Sequence, residues 1–409
     1  MIQNAICTGC GCLCDDIGIE TAEGGTFKVF NACIKGYATM QGANYKKRRP
    51  LSCVKGKETD PQSAINHALD KLLRAKNVMI FGLDNSTLEA QGAALCLSRK
   101  INAGIDDYSS SCWGPLIEMI IKGRILSCSM EMAKESDMLV YWGANPFHSH
   151  PRHISYYTYY AQEKYNTSGW LPRICLTSVD VRETELTRIS DEVVMLRVGE
   201  DRNIITEVLH ILSGGKGSAS SQRLTELFKK SNKTIIFAGS GLMRSLGAEF
   251  GLYVEMVNAL NRNTRVYTIP MLKHFNMMGF NRTLFAAQGV INQIAFKNGN
   301  GISPERYSFT ERIACSDCDC VIAVGSNPVQ DLPYALAKKL LSAPLIAIDS
   351  FRTLTTDAAD ISIPAALPGV ETGGSAVRMD GREMPLHPLK DVNEYASDDK
   401  ILTYLAQNM

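Results

Sequence analysis

The chain has 409 residues and a formal net charge of +1, with 43 lysines and arginines against 42 aspartates and glutamates. Hydrophobic residues make up 45% and charged residues 21%, which excludes an intrinsically disordered chain. The balanced charge does not favour a nucleic acid or an anionic membrane as partner, and no apolar run reaches the roughly 20 residues that cross a bilayer.

Cysteine is unusually frequent and unevenly placed. Thirteen are present, four of them within Cys7-Thr-Gly-Cys10-Gly-Cys12-Leu-Cys14. The segment from Met1 to Cys7 lacks the basic and apolar regions of a secretion signal, so we expect a soluble, cytoplasmic protein. Because the cytoplasm keeps thiols reduced, the crowding indicates metal binding rather than disulfides.

The N-terminal motif Cys7-x2-Cys10-x3-Cys14, followed by Cys33, supplies the four thiolates that a [4Fe–4S] cluster needs. Zinc also binds four cysteines, but zinc sites usually contain paired Cys-x2-Cys knuckles, so this spacing favours iron and sulfur. Cys12, which lies between two ligands, is expected to point away. Lys35, two residues after Cys33, could connect the cluster to a second redox group or be an ordinary surface charge.

After this segment, short apolar strands alternate with amphipathic helices. The pattern predicts an α/β fold of doubly wound, largely parallel sheets. The predicted helices span 60–76, 88–100 and 332–341, and the predicted strands span 77–81, 138–142, 173–177, 234–238, 320–324 and 344–348.

Two further groups of cysteines are ambiguous. Cys112 lies in a polar turn before a helix that starts near Leu116, where the helix dipole favours a thiolate that could act as nucleophile or metal ligand. A free cysteine is as often a small buried core residue, so both interpretations stay open. Cys315, Cys318 and Cys320 resemble a metal knuckle, but Cys320 begins a predicted strand, which favours a core role.

The turn from Gly143 to His153 follows a predicted strand and places His148, His150 and His153 beside Arg152. Backbone N–H groups and cationic side chains in such a loop can hold a phosphate. A zinc site is less favoured, because these histidines do not form a helical i, i+4 pair.

Two segments, 137–191 and 319–360, repeat one another. Each contains a strand, a Gly-x-Asn-Pro turn, a helix, a second strand that ends in Asp, and a further Asp. The repeats predict two related α/β halves whose ligand-binding loops follow the strands. The predicted domains are a cluster domain (1–56), a first half (57–212), a second half (213–381) and a tail (382–409), with the Gly/Ser-rich stretch 213–221 as linker.

Together these motifs resemble the molybdopterin oxidoreductase superfamily and, within it, the B subunit of formylmethanofuran dehydrogenases. The resemblance covers nearly the whole chain. It is carried by Cys7-x2-Cys10-x3-Cys14-Asp-Asp16, Asn31-Ala-Cys33-Ile-Lys35-Gly36, Arg49-Pro50-Leu, Cys112-Trp113-Gly114-Pro115, Trp142-Gly-Ala-Asn-Pro146, His150-Pro-Arg-His153, Asp180-x-Arg182-x-Thr184-x-Leu-Thr187 and Gly373-Gly-Ser-Ala-Val-Arg-Met-Asp-Gly381.

The resemblance implies a particular set of cofactors. A [4Fe–4S] cluster would be held by Cys7, Cys10, Cys14 and Cys33, and a tungsten or molybdenum ion by Cys112 and two pyranopterin guanosine dinucleotides. Lys35 would lie on the electron path between the cluster and a pterin. The residues expected to contact the dinucleotides are Gly114, Gly143, Asn145, Pro146, His150, Arg152, His153, Asp180, Arg182, Thr184, Gly325, Asn327, Pro328 and Asp349.

The implied reaction is the reduction of CO2 to formate, which an amidohydrolase-like partner then condenses with methanofuran. Relatives place a His after the metal-binding Cys and use an Arg. This chain has Trp113 at the His position, which cannot transfer a proton at neutral pH, and Arg282 where the Arg is expected. Since the chain ends soon after Gly381, without the C-terminal barrel domain of longer relatives, we expect separate barrel-domain and ferredoxin-like subunits in the same complex.

Two other functions stay open. One is a redox-inactive scaffold subunit of a formyltransferase/hydrolase complex, which Trp113 favours. The other is a free-standing formate dehydrogenase catalytic subunit, which the short chain disfavours. The retained cluster thiols and Cys112 favour the redox enzyme. The sequence does not distinguish tungsten from molybdenum.

Overall fold

The computed structural model describes residues 2–21, 26–158, 174–302, 308–390 and 394–409. The chain divides into two compact units, each assembled from separate stretches of sequence. Unit 1 comprises Met1–Ser111, His274–Arg378 and Glu383–Met409. Unit 2 comprises Cys112–Lys273 and Met379–Arg382.

The described residues form strands and helices that alternate along most of the chain. The strands are β1 (Ile2–Ala5), β2 (Ile17–Thr21), β3 (Phe27–Phe30), β4 (Cys53–Val54), β5 (Lys57–Glu58), β6 (Val78–Gly82), β7 (Gly104–Asp106), β8 (Met138–Trp142), β9 (Cys175–Asp180), β10 (Glu192–Met195), β11 (Lys233–Ala238), β12 (Arg265–Pro270), β13 (Ile294–Lys297), β14 (Asn300–Ile302), β15 (Cys320–Val324), β16 (Leu345–Asp349), β17 (Ile361–Pro364), β18 (Gly374–Val377) and β19 (Glu383–Leu386). The helices are α1 (Ile34–Gly42), α2 (Pro61–Leu72), α3 (Leu88–Lys100), α4 (Gly114–Ile121), α5 (Pro146–Ser149), α6 (Pro151–Tyr156), α7 (Glu185–Ile189), α8 (Asp201–Leu212), α9 (Ala219–Lys230), α10 (Ser240–Leu246), α11 (Gly251–Leu260), α12 (Met277–Gln288), α13 (Phe309–Ala314), α14 (Pro328–Asp331), α15 (Tyr334–Leu340), α16 (Leu354–Ala358) and α17 (Asp398–Gln407).

Every strand and helix predicted from the pattern is present, and most have ends shifted by a few residues. Strands β8 and β15 and helix α3 have the predicted bounds, whereas predicted helix 60–76 ends earlier, at Leu72. Predicted strand 173–177 begins at Cys175, and its first residue lies outside the described residues. Helix α2 starts where Asp60 accepts a hydrogen bond from the Ser63 N–H (2.8 Å), as expected for an acidic N-cap.

Unit 2 is built on a parallel five-stranded sheet with the order β10-β9-β8-β11-β12. Strand β8 is buried along its whole length, which is why it reads as a continuous apolar run rather than an alternating one. All loops that follow these strands therefore leave from one edge of the sheet, where α/β proteins bind their ligands.

Unit 1 contains a nine-stranded sheet with the order β14-β13-β7-β6-β15-β16-β17-β4-β5. Its central strands, from β7 to β17, are parallel, and antiparallel strands extend it on both sides. Helices α2, α3, α12 and α17 cover one face and α13 and α15 the other, so the α/β class and the doubly wound arrangement are confirmed.

The N-terminal residues of unit 1 add a small antiparallel sheet, β1-β2-β3. Strand β3 alternates buried and exposed residues, with Phe27 and Val29 inward, as expected for a sheet with one solvated face. Across the described residues, none of the sheets closes into a barrel.

The two predicted repeats have equivalent structures, one in each unit. The first contains β8, α5, β9, α7 and β10, and the second contains β15, α14, β16, α16 and β17. In both, an Asp carboxylate accepts a hydrogen bond from the start of the second strand: Asp191 from Leu176 N–H (2.8 Å) and Asp360 from Leu345 N–H (2.9 Å).

The units differ from the predicted domains 1–56, 57–212, 213–381 and 382–409, which follow chain order. Parallel strand pairing is the reason: β6 lies beside β15 in unit 1, and β8 lies beside β11 in unit 2, so each sheet draws on both predicted halves. The Gly/Ser-rich stretch 213–221 was wrongly predicted to be a linker between domains. It lies inside unit 2, where residues 213–218 connect α8 to α9 and residues 219–221 begin α9.

Among the helices of the described residues, none is both long enough and apolar enough to span a bilayer.

Candidate metal centre and cofactor site

The predicted cluster thiols lie together in unit 1. Cys7, Cys10 and Cys14 are buried on the loop after β1, and Cys33, which is half-buried, precedes α1. Burial raises the pKa of the Cys7 thiol, and the thiols of Cys14, Cys10 and Cys33 raise it further, so Cys7 is close to all three. Sulfur atoms crowded in this way stay as thiolates only when a cation is bound between them.

Backbone N–H groups point at two of the sulfur atoms of this site. The Gly9 N–H donates to Cys7 Sγ (3.4 Å), and the Gly36 N–H donates to Cys33 Sγ (3.5 Å). Cys33 is also the N-cap of α1, where the positive end of the helix dipole stabilises negative charge. Such contacts suit sulfur atoms that bind a metal, because a donor to a ligand sulfur stabilises its negative charge.

Two glycines leave space around the sulfur atoms. A Cβ atom at Gly36 would lie 2.6 Å from Cys7 Sγ, and a Cβ atom at Gly9 would lie 3.3 Å from the same sulfur. The absence of these side chains and the set of four soft sulfur donors fit an iron–sulfur cluster. A zinc ion bound by four thiolates uses the same donors, and spacing alone separates the two.

Cys12 does not point away from this site, and that expectation was wrong. Its side chain is 1% exposed, and its sulfur lies within 4.8 Å of the Cys10 sulfur. Hydrogen bonds with Cys10 and Cys14, followed by burial, raise the pKa of the Cys12 thiol well above its usual value. Five thiols therefore crowd the site: the four predicted ligands and Cys12. Lys35 lies half-buried in the first turn of α1, next to Cys33.

Cys112 is the first residue of unit 2 and is half-buried before α4. The following residue, Trp113, is the N-cap of α4 and is 8% exposed. Its indole Nε1 is buried and has no hydrogen-bond partner among the described residues. A soft thiol beside the N-terminus of an eight-residue helix suits a metal ligand. Gly114 is buried behind it.

The first Gly-x-Asn-Pro turn follows β8 in unit 2. Gly143 has a φ of +59°, and a Cβ atom there would lie 2.4 Å from the backbone nitrogen of Leu242, so only glycine fits. Asn145 accepts a hydrogen bond from the Phe147 N–H (3.2 Å), which starts α5 at Pro146. The amide of Asn145 donates to Glu185 at the start of α7 (3.0 Å).

The equivalent turn follows β15 in unit 1. Gly325 has a φ of +54°, and Asn327 precedes Pro328 at the start of α14. Here the Asn327 amide oxygen accepts hydrogen bonds from the backbone N–H (3.1 Å) and hydroxyl (2.8 Å) of Thr355. In both repeats, the asparagine of the turn is thus hydrogen-bonded to the helix that follows the second strand.

Two histidines of the turn 143–153 form hydrogen bonds within the protein. His150 Nε2 is hydrogen-bonded to the Leu272 carbonyl oxygen (2.7 Å), and His153 Nδ1 is hydrogen-bonded to the Tyr141 hydroxyl (2.7 Å). Burial holds the pKa of His153 well below its usual value, so that imidazole is neutral. Arg152 is half-buried and its guanidinium lies over the Tyr156 ring. Phosphate binding by these three residues stays a prediction.

The aspartates at the ends of the second strands occupy matching positions. Asp180 accepts a hydrogen bond from the Val181 N–H (2.6 Å), and Asp349 accepts one from the Phe351 N–H (2.8 Å). Burial raises the pKa of Asp349 to about 7. Arg182 is exposed, and Thr184 forms a capping box with Thr187 at the start of α7.

The remaining predicted residues are spread over both units. Arg282 lies on the exposed face of α12 in unit 1. Cys320 is fully buried in β15, and burial raises its pKa to about 12, which confirms its core role.

The sequence analysis did not single out one buried polar group in unit 1. His274 Nδ1 is hydrogen-bonded to the carboxylate of Asp84, which follows β6. Asp107, after β7, is also buried, and burial together with Asp84 and Asp106 raises its pKa well above the usual value. The signal that could have found the group is the pair of consecutive aspartates Asp106 and Asp107 at the end of the short strand β7.

Comparison with known families decides among the interpretations of these motifs. The sequence model of the family "Molybdopterin oxidoreductase" matches residues 66–391, about 80% of the chain. The chain belongs to the molybdopterin oxidoreductase family. Membership of this family supports an oxidoreductase with a pterin-bound molybdenum or tungsten ion, and Cys112 lies within the matched residues. The cluster thiols precede the matched residues, so the assignment of a cluster to them depends on the geometry described above.

The relatives of this molybdopterin oxidoreductase confirm the narrower resemblance. The B subunit of tungsten-containing formylmethanofuran dehydrogenase 2 of Methanocaldococcus jannaschii is 26% identical over 98% of this chain and 96% of its own. The protein of the same name from Methanococcus maripaludis is 25% identical over 100% of this chain and 99% of its own.

Solved structures confirm the fold of this molybdopterin oxidoreductase. A chain of the formyltransferase/hydrolase complex FhcABCD of Methylorubrum extorquens, solved with methylofuran, superposes with a TM-score of 0.70 at 19% identity, covering 87% of this chain and 98% of that one. Acetylene hydratase of Pelobacter acetylenicus superposes with a TM-score of 0.69 at 12% identity, covering 100% of this chain and 69% of that one.

Proposed function

We propose that this chain is the catalytic redox subunit of a formylmethanofuran dehydrogenase and reduces CO2 to formate. The observation that carries the proposal is the buried four-thiol site, in a molybdopterin oxidoreductase aligned over nearly its full length with the B subunits of two formylmethanofuran dehydrogenases. When bound, a tungsten or molybdenum centre with two pyranopterin guanosine dinucleotides supplies the two-electron chemistry, and a [4Fe–4S] cluster feeds it electrons.

The residues of unit 1 hold the cluster. Cys7, Cys10, Cys14 and Cys33 are its ligands, and the N–H groups of Gly9 and Gly36 stabilise the negative charge on the sulfur atoms of Cys7 and Cys33. Lys35, adjacent to a ligand and half-buried, is the residue we assign to the electron path toward the pterin.

Reduction of CO2 requires a protein ligand for the metal and groups that bind the oxygen atoms of the substrate. Cys112 binds the metal through its sulfur. Trp113 cannot exchange a proton, but its unpartnered buried indole N–H is suited to donate a hydrogen bond to a substrate oxygen. The guanidinium of Arg282 supplies positive charge for the carboxylate that develops.

The two repeats each bind one dinucleotide. The Gly-x-Asn-Pro turns at Gly143 and Gly325 offer backbone N–H groups at the carboxyl ends of β8 and β15. Asp180 and Asp349, at the ends of β9 and β16, accept hydrogen bonds from a sugar or a guanine edge. The other predicted dinucleotide contacts are Gly114, Asn145, Pro146, His150, Arg152, His153, Arg182, Thr184, Asn327 and Pro328.

The chain works within a multi-subunit cytoplasmic complex. An amidohydrolase-like subunit condenses formate with methanofuran, and a barrel-domain subunit covers the dinucleotides. Ferredoxin-like subunits deliver electrons at the cluster. The surface beside Cys33 suits such a partner, because Phe30, Ile34 and Tyr37 are exposed there and apolar side chains at a surface favour protein contacts.

Metal analysis of the native complex, together with a Cys112→Ala variant, tests the proposal. We expect about one tungsten or molybdenum and at least about four iron atoms per chain, since this chain's cubane supplies four and ferredoxin-like partners add clusters of their own. Cys112→Ala should lose CO2 reduction while it keeps the iron. Cys96→Ala, an exposed thiol on α3, is the control and should change neither. Full CO2 reduction by Cys112→Ala would remove Cys112 from the mechanism.

The second candidate is a redox-inactive scaffold subunit, and Trp113 at the position of the relatives' His is the observation that favours it. A scaffold has no use for five thiols crowded in one buried site. The same metal analysis separates the two candidates: a native complex without tungsten, molybdenum and iron would identify the scaffold. A formylmethanofuran assay separates both from a free-standing formate dehydrogenase.

A further inference from the structure

A cleft in unit 1 lies at the opposite edge of the nine-stranded sheet from the Gly325 turn. It has a volume of about 320 Å³ and lies between α2 and the first residues of β16 and β17. The predicted dinucleotide turns follow the carboxyl ends of the strands, and none of their residues lines this cleft. Its volume is within the range of sites that bind small molecules. The cleft is therefore a candidate for a further ligand site.

Three cationic side chains line the cleft: Lys55, Lys71 and Arg74. Among the described residues, none of the three forms an ion pair or a side-chain hydrogen bond. Lys71 and Arg74 lie at the end of α2, where the carbonyl oxygens accept backbone N–H groups, as Leu69 does from Leu73 (2.9 Å). The helix end does not need these two cations, so they are available to a ligand.

Two carboxylates also line the cleft, and neither forms an ion pair with these cations. The carboxylate of Asp360 accepts a hydrogen bond from the Leu345 N–H (2.9 Å). The carboxylate of Asp70 belongs to an exposed residue, so water and salt screen its charge. Three cations against two carboxylates leave an excess of positive charge, which favours an anion over a cation as the ligand.

The position of Lys55 is set by a two-residue turn. Lys55 and Gly56 connect β4 to β5 with φ values of +49° and +73°, and the first residue of such a turn is usually Asn, Asp or Gly. The Lys55 N–H donates to the Asp360 carbonyl oxygen (2.6 Å), which fixes the turn against the start of β17. A lysine is uncommon in this backbone conformation, and such outliers often occur at ligand sites.

We propose that this cleft binds a small organic phosphate, a phosphate monoester with an apolar or aromatic part. The phosphate contacts the ammonium groups of Lys55 and Lys71 and the guanidinium of Arg74, whose planar fork can bind two phosphate oxygens at once. The organic part packs on Val54 and Ile361, which line the cleft as a pair on the adjacent strands β4 and β17. The inference does not depend on the proposed function, because no residue of the cleft belongs to the predicted cluster, metal or dinucleotide sites.

Calorimetric titrations of the full-length chain with phenyl phosphate and with inorganic phosphate test the proposal. Phenyl phosphate should bind more tightly than inorganic phosphate, because its ring buries apolar surface. Lys71→Gln should weaken the binding of phenyl phosphate about tenfold, the usual effect of losing one hydrogen bond between charged groups. Lys57→Gln, at an exposed position on β5 outside the cleft, is the control and should bind like the wild type.

Asp70→Asn is a second variant, and its expected effect has the opposite sign. It removes a negative charge from the lining, so it should tighten the binding of phenyl phosphate severalfold, a gain that misfolding cannot imitate. Weaker binding by this variant overturns the proposal, as does a wild type that binds no phenyl phosphate or binds it no better than Lys71→Gln does. Inorganic phosphate that binds as tightly as phenyl phosphate also overturns it, because the cleft then recognises no organic part.

Discussion

A methyl group at Gly36 would lie 2.6 Å from the sulfur of Cys7, closer than van der Waals contact allows. In a chain without metal, that sulfur can rotate away at little cost. As a cluster ligand it is held in place, and Gly36 also directs its N–H at Cys33. The space at Gly36 is therefore needed by the cluster more than by the fold.

We expect Gly36→Ala to fold but to bind less than half of the wild-type iron after reconstitution, measured by iron and sulfide analysis. Gly92→Ala is the matched control. Gly92 lies in α3 with nothing within 4 Å of an added Cβ, so this variant should keep its iron and gain about 1 kcal/mol of stability from helix propensity. Full iron binding by Gly36→Ala would show that the cluster lies elsewhere.

His153 makes the stability of unit 2 sensitive to acid. Its imidazole is fully buried, and burial, with a smaller contribution from His150, holds its pKa well below the usual 6.5. The groups around it are the Tyr141 hydroxyl and the rings of Tyr157 and Phe237. Below about pH 6.5 the unfolded chain binds a proton here that the folded chain does not, so the free energy of unfolding falls as the pH falls.

We expect the free energy of unfolding to drop between about pH 7.5 and about pH 5.5 by about 1 kcal/mol more in the wild type than in His153→Phe. Urea titrations at the two pH values measure the difference. His67→Phe, at an exposed position on α2, should retain the wild-type dependence. An equal drop in the wild type and His153→Phe would mean that His153 is protonated in the folded state.

Single residues were predictable from the sequence where a function, such as metal ligation, requires particular residue types at a particular spacing. The four cluster thiols are brought together as their spacing suggests. The orientation of Cys12 was not predictable, because the turn around it depends on Leu13 packing against residues more than 250 positions away. The pairing of Asp84 with His274 was missed for the same reason.

At the scale of elements, the repeats share a capping device. Thr184 starts α7 and Thr353 starts α16, and each forms a reciprocal capping box with a threonine three residues later. Each of these helices has only five residues, too few to be stable without help from its ends. The cap therefore fixes the loop that follows the Asp at the end of the preceding strand.

We expect Thr184→Ala and Thr353→Ala each to lower the free energy of unfolding by about 1 kcal/mol, the usual cost of losing an N-cap side chain. Since the two residues belong to different units, the effects should add in the double variant. Chemical denaturation measures all three. Thr353→Ser keeps the hydroxyl and should stay within about 0.5 kcal/mol of the wild type. A cost limited to one repeat would contradict their equivalence.

The elements that the sequence predicted are the buried central strands, whose apolar runs are unmistakable. Several of the strands that it missed are short or one-sided. Strand β7 has three residues, and β3 buries only alternate side chains. Edge strand β10 has two exposed residues out of four, so it lacks the apolar run that identifies β8.

At the scale of the whole molecule, the strand order departs from chain order. The sequence repeats correctly indicated two related α/β sheets, but parallel pairing places β6 beside β15, some 240 residues later in the chain. Nothing in the local pattern of either strand specifies that partner. Domain boundaries were therefore beyond prediction from periodicity, although the architecture was not.

This arrangement predicts which fragments fold. All five strands of the unit 2 sheet, β8 to β12, lie within residues 112–273, so we expect this fragment to fold with one cooperative urea transition. A fragment of residues 1–212 contains β8 to β10 without β11, and β6 and β7 without β15, so both sheets lose central strands. Exposed apolar edges should leave it aggregated or without a cooperative transition. Circular dichroism during urea titration compares the two fragments. Cooperative unfolding of 1–212 would contradict this arrangement and support the predicted domains that follow chain order.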